Sequence, residues 1–223
     1  MHWDEFSDWG AKISQWAADY HKNLRDRPVR AQTAPGDVAA LLEQSAPETP
    51  QSMQEIMADF ERVVMPGMTH WQHPRFFAYF PANAAPPSML AEMLVSTIAA
   101  QCMLWQTSPA ATEMETVMLD WLRQAIGLPA GFSGVIQDSA SSATLAAVLT
   151  MRERALNWQG NRSGLSGAPR LRIYCSAEVH TSVDRAIWVA GIGQDNLVRI
   201  PICGIRRGMD PVALRAAIEA DIA

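Results

Sequence analysis

Lysine is scarce in this sequence. Lys12 and Lys22 are the only two among its 18 basic residues, and both stand near the N-terminus. Chemistry that needs a lysine amine beyond that point must draw it from elsewhere. Cysteine is scarce too. Cys102, Cys175 and Cys203 are odd in number and far apart, which excludes a disulfide scaffold and fits reduced thiols in a cytoplasmic setting. There is no basic excess. The formal net charge of -5 argues against a broad nucleic-acid-binding surface. No apolar run reaches the roughly 18 residues of a membrane span. The opening Met1-His2-Trp3-Asp4-Glu5 lacks the basic-then-apolar order of a signal peptide.

Several catalytic signatures also fail. Gly131-Phe132-Ser133-Gly134 lacks the last glycine of a nucleophile elbow. Gly191-Ile192-Gly193 is followed by Asn196 where a dinucleotide fingerprint needs glycine. No Gly-Lys phosphate loop is present. His70 and His73 sit three apart, but no cysteine or carboxylate stands at ligand spacing, so no metal site is expected.

What is present is a large apolar complement, 48% of the 223 residues. Trp3, Phe6, Ile13, Trp16 and Tyr20 recur at near-helical spacing, predicting an amphipathic helix over 3–24 that ends before Pro28. A short helix is expected over 37–44. Ser52 and Glu55 form a capping-box pattern ahead of Ile56, Met57, Phe60, Val63 and Val64, with Pro66-Gly67 as the stop. The stretch from Thr69 to Pro87 is aromatic, rich in proline and aperiodic, and reads as a packed or functional loop. Residues 88–104 read as a helix buried on most sides. Ser108-Pro109 opens another, with a stripe of Met114, Val117, Met118, Trp121, Leu122 and Ile126 that Gly127 ends.

Beyond that point strand and helix alternate, which implies an α/β sheet domain, parallel or mixed. Strands are expected over 135–137, 171–175 and 197–202. Helices are expected over 143–157 and 182–189, and after Asp210-Pro211. In the turn at 138–144, Ser139, Ser141, Ser142 and Thr144 stand where backbone N–H groups at a helix start are free. Such a turn cradles phosphate, but helix capping favours the same residue types, so the turn alone supports either reading. His180 follows the next strand end, where parallel sheets place ligands, and reads equally as a helix cap.

These segments together resemble the group II pyridoxal-phosphate (PLP) decarboxylases, above all the aromatic-L-amino-acid decarboxylases. Five pieces stand in the family's order. They are Pro66-Gly67-Met68-Thr69-His70-Trp71; His73-Pro74 with Phe77-Ala78-Tyr79-Phe80-Pro81; Ser108-Pro109 with Thr112-Glu113-Met114-Glu115; Gly134-Val135-Ile136-Gln137 leading into Ser139-Ala140-Ser141; and His180-Thr181-Ser182-Val183. The resemblance implies a fold-type-I PLP-dependent transferase-like α/β fold. It implies a helical dimerisation segment over 1–86 carrying a substrate-contacting loop, and the first, incomplete part of the PLP-binding large domain over 87–223.

It also implies roles. Ala140 and Ser141 match positions that bind the cofactor phosphate, and His180 matches the catalytic histidine that stacks on the cofactor ring. Tyr79, Phe80 and Pro81 match a substrate wall that reaches across a homodimer, and Met103 stands with Gln101 at pocket-lining positions. Ala82, Gln101, Met103 and Asp138 depart from the animal enzymes, which leaves the preferred amino acid open. The implied activity is decarboxylation of an aromatic L-amino acid to its amine and CO2. An aldehyde synthase of the same family, or a fragment that only dimerises, are the alternatives. The family's anchoring lysine and pyridine-nitrogen aspartate lie in segments that Lys12 and Lys22 do not match. The expectation is therefore that this stretch alone is inactive and works with a remaining C-terminal half.

Overall fold

The computed structural model describes residues 2–80 and 84–223, so Pro81 lies outside the described residues. Two units pack separately, residues 1–100 and 101–223. The division places the helix that follows the aromatic loop with the N-terminal unit.

In the first unit, α1 (Trp3–Lys22) carries the expected aromatic stripe. Trp16 stacks on Tyr20 at 5.5 Å, meets Phe60 edge-on at 5.2 Å, and donates through Nε1 to Glu61 at 2.9 Å. A short 3-10 turn then buries Leu24. The single turn α2 (Asp37–Ala40) is shorter than expected. The Ser52–Glu55 capping box forms as its spacing predicts and starts α3 (Met53–Asp59). That helix widens into a π turn over Phe60–Val64, then tightens to a 3-10 turn at Met65–Gly67. α4 (Pro86–Ile98) ends earlier than expected, because Ala99 turns into the left-handed region at φ 50°. Its expected burial is not met within the chain. No residue of α4 is buried, and Leu94 and Ile98 are 63% and 71% exposed.

The second unit begins with α5 (Pro109–Ala125). Gly127, at φ 75°, closes it, with Leu128 N–H donating to Arg123 and Gly127 N–H to Gln124. That pair of hydrogen bonds is the helix-ending motif for which glycine is suited. The apolar stripe of α5 is real but uncovered, with Met114, Trp121 and Ile126 all exposed.

The expected strand over 135–137 does not form. No strand lies beside it among the described residues. Ile136 N–H instead donates to Glu115 at 2.7 Å, and Val135 and Ile136 are exposed.

α6 (Ala140–Ala155) and the one-turn α7 (Gly160–Ser163) follow. β1 (Ile173–Ser176), α8 (Ser182–Val189) and β2 (Leu197–Ile200) make a crossover unit in which the two strands pair in parallel. β3 (Ile202–Cys203) and β4 (Gly208–Met209) form an antiparallel pair, where one strand to 202 was expected. α9 (Pro211–Ile222) starts at Asp210, whose carboxylate accepts from Val212 and Ala213 N–H.

The core sits between α6 and α8. Val148, Ala186, Ile187, Ala190 and Ile192 are buried together, with Leu145, Leu149, Val183, Ile173 and Leu197 packed around them. Little else is covered. The chain exposes 17290 Å², whereas two separate compact globules of half its mass would expose about 12,000 Å² together.

Gly160 marks the tightest approach. A Cβ there would lie 2.3 Å from Glu153 Oε1, while one on Gly131 would meet nothing within 4 Å. Gly160→Ala should therefore destabilise the protein by about 1–3 kcal/mol, as overpacking does. Gly131→Ala should stay within about 0.5 kcal/mol. Thermal unfolding of both variants measures the contrast, and equal midpoints would refute the close approach.

Candidate functional site

α6 begins with an extended Ser139, whose Oγ accepts from Ser142 N–H at 3.2 Å and lies 3.1 Å from Ser142 Oγ. Thr144 turns its hydroxyl back into the helix, onto Ala140 O at 2.8 Å. Helix geometry leaves the first N–H groups without intrahelical partners. The Ser139 cap satisfies that of Ser142. Among the described residues nothing accepts from Ala140 or Ser141 N–H, and both residues are exposed. The serine turn is thus a cap and, beside it, a pair of unclaimed amides at the positive end of a helix. A phosphate group fits such a pair, so the residues present suit a phosphorylated cofactor. Asp138 takes no part in the cap.

His180 lies in the connection between β1 and α8. The connection is tied down at Ala177 N–H, which donates to Ile200 O at 2.8 Å, and at Glu178, which pairs with Arg207 of the β3–β4 hairpin. His180 Nδ1 accepts from Ser182 N–H at 3.2 Å. The neutral ring therefore carries its proton on Nε2. This is the helix-cap contact, yet the residue stays exposed, so capping and a stacking role are compatible. α6 and α8 pack side by side through Val148, Ala186 and Ile187. Arg152, near the C-terminal end of α6, donates to Ala190 O at the C-terminal end of α8, 2.7 Å away. The helices consequently run the same way, and the turn at 139–142 and His180 lie toward the same end of the pair.

Tyr79 and Phe80 lie in the other unit, 81% and 96% exposed. Trp71 stacks between Phe76 (5.1 Å) and Tyr79 (5.5 Å), and Tyr79 holds a left-handed backbone at φ 54°. Met103 is exposed in the irregular segment before α5. Cys175 is buried, and burial pushes its thiol up, which suits a core residue rather than a nucleophile.

Sequence reasoning missed the buried ion pair of Arg152 and Glu153 at the end of α6. Two adjacent charges near a helix end look solvated, and the only hint is Gly160-Asn161 beyond them.

His70 and His73, both buried, brace the aromatic loop. His73 Nδ1 accepts from Arg75 N–H at 3.0 Å, and its Nε2 faces Arg25 O at 3.3 Å. Tyr20 Oη lies 2.8 Å from His70 Nδ1. Burial, then Arg27, then His73, holds the His70 ring below its ordinary range. A depressed histidine contributes stability above its ordinary value of about 6.5 and loses it as pH falls further. His70→Gln should therefore lose less thermal stability than the parent between roughly pH 7.5 and 5.5. Identical losses in melting experiments would show that this contact does not titrate.

The sequence matches the pyridoxal-dependent decarboxylase conserved domain over residues 35–223. It is 39% identical to the aromatic-L-amino-acid decarboxylase of Rattus norvegicus over 97% of this chain and 47% of that protein. It is 34% identical to the phenylacetaldehyde synthase of Arabidopsis thaliana, covering 100% of this chain and 46% of that one. The crystal structure of Oryza sativa tryptophan decarboxylase with PLP and tryptamine superposes on all of this chain with a TM-score of 0.91, at 32% identity and over 47% of its own length. The chain spans about half the length of the curated relatives it matches, and the family's cofactor is pyridoxal 5'-phosphate. The serine turn and the exposed histidine thus stand in a chain that belongs to the pyridoxal-dependent decarboxylase family.

Proposed function

We propose that this chain contributes the phosphate-binding turn and the ring-stacking histidine of a PLP-dependent decarboxylase acting on an aromatic L-amino acid, which it converts to the amine and CO2. The observation that carries the reading is the pair of unclaimed amides at Ala140 and Ser141, sharing one end of a helix pair with an exposed His180. Ala140 and Ser141 would hold the phosphate through N–H groups, with the Ser141 hydroxyl as a further donor. His180 would present its ring face, oriented by the Ser182 N–H bond at Nδ1, and keep the Nε2 proton available for donation. PLP, when bound, supplies the electron sink that lets the carboxylate leave.

Tyr79, Phe80 and Pro81 would form an aromatic wall for the substrate side chain, with Met103 a further pocket residue. Tyr79, braced by Trp71, and the exposed ring of Phe80 suit that task, since stacking selects ring-bearing substrates. The wall would act across a homodimer. The uncovered apolar residues of α4 fit a partner surface, as does a cleft of about 960 Å³ in the first unit lined by Trp3, Phe6, Ile13, Met89 and Met93. The lysine that anchors the cofactor would come from a C-terminal half, because Lys12 faces the Trp9 ring and Lys22 pairs with Asp19 on α1. Cytoplasmic placement belongs to the same proposal. Among the described residues no helix is long and apolar enough to cross a membrane.

The 34% identity to a phenylacetaldehyde synthase favours a second reading, in which dioxygen is the oxidant and the amino acid, with O2 and water, gives the aldehyde, CO2, ammonia and hydrogen peroxide. Incubating the complete gene product with PLP and aromatic amino acids separates the two. Amine with CO2 supports the decarboxylase, and aldehyde with ammonia supports the synthase.

His180→Ala should weaken PLP binding about tenfold, the worth of about 1.5 kcal/mol of ring stacking, and cut turnover strongly, while the PLP-free protein melts only a few degrees lower through the lost bond to Ser182 N–H. Near-normal turnover would remove the stacking role. Tyr79→Ala and Phe80→Ala should shift the ranking of amino-acid substrates more than PLP affinity. A uniform loss across substrates would mark these two residues as structural.

A further inference from the structure

Glu153 and Arg152 are adjacent on α6, and their side chains are only 4% and 11% exposed. Neighbouring helix residues point in different directions and do not ordinarily pair. Here Arg152 places Nε and Nη2 on Glu153 Oε1 at 3.0 and 2.8 Å. Nη2 also reaches Asn161 Oδ1 at 2.9 Å, and Nη1 reaches Ala190 O at 2.7 Å. Glu153 Oε2 accepts from Asn161 N–H at 2.9 Å. Gly160 leaves room for the carboxylate where any Cβ would intrude.

Stability is a poor reason for such a pair, since apolar residues of like volume often serve as well in a buried site. Its geometry suggests another. Ala190 O is an orphan carbonyl at the end of α8, and the fork of Arg152 fastens it to the end of α6. From this fastening point α6 runs about 18 Å back to Ala140 and α8 about 12 Å back to Ser182, at 1.5 Å per residue. Both proposed ligand-bearing termini hang on it. A tilt of α8 by about 5° would move its tip by about 1 Å, the scale on which site geometry fails.

Resting on the function proposed above, we infer that Arg152 and Glu153 are positioning residues that set the spacing between the phosphate turn and His180. They touch neither cofactor nor substrate. They act through the relative pose of α6 and α8, which decides whether phosphate and ring are engaged at once.

The test uses the complete gene product stripped of PLP, and reads affinity by tryptophan quenching for two probes, PLP and inorganic phosphate. Inorganic phosphate touches the turn alone, whereas PLP needs turn and histidine together. In Arg152→Met/Glu153→Leu, which removes both charges, PLP affinity should fall about tenfold through lost preorganisation. Phosphate affinity should stay within about twofold, and melting within a few degrees, as apolar replacement of a buried pair predicts. Arg152→Lys keeps the charge without the fork and should fall between the parent and the double variant. It carries the same comparison if the double variant does not fold. Unchanged PLP affinity would overturn the inference, as would equal losses for both probes with a lowered melting temperature. Failure of the unmodified protein to bind PLP would instead overturn the proposed function.

Discussion

The packing of α6 against α8 is the constraint on which the second unit depends. Val148, Ala186, Ile187 and Ala190 are among the best-buried apolar residues there, and Ala186 and Ala190 are small enough to bring the two axes close. β1 and β2 lie on either side of α8 in sequence, so their parallel pairing and the seating of α8 are one event. What is proposed for the phosphate turn and His180 follows from that seating. The serine turn is the start of one helix and His180 the approach to the other. Their chemistry is local, but their spacing is a property of the interface.

The first unit is organised differently. Its order comes from aromatic and polar contacts reaching back to α1, with Trp16 on Phe60 and Glu61 and Tyr20 on His70. Few of its residues are buried, and its longest apolar helix is open to solvent. The energy that would fix α4 must therefore come from surface outside this unit's own contacts, since apolar area left in water contributes nothing.

What could be read from the residues divides along the same line. Local signals transferred well. The Ser52–Glu55 box, the Gly127 stop and the Asp210 cap each formed where their spacing placed them, because caps depend on a few neighbouring atoms. The 182–189 helix was legible from its residues for a related reason, as its turn residues and apolar face agree. The strand at 135–137 was not, because a strand is defined by a partner and none lies beside it among the described residues. Periodicity located the α5 stripe but not its exposure, since a pattern states which face is apolar and not what covers it. For the site, Ser141 drew notice as a hydroxyl at a helix start and His180 as an imidazole following β1. The Arg152–Glu153 pair was not legible, since its meaning lies in Asn161, across a turn, and in Ala190, far along the chain.

The parallel run of α6 and α8 has an electrostatic consequence. Each helix carries roughly half a positive charge at its N-terminal end from aligned peptide dipoles. Two such ends on one side of a helix pair add, and neither depends on an ionisable side chain. The backbone share of the field that a dianion meets there does not change with pH, and it acts beside the side chains of His180 and Asp184 at the start of α8. A chain with so few lysines, none of them in this unit, can thus present an anion-attracting face while its overall charge remains negative.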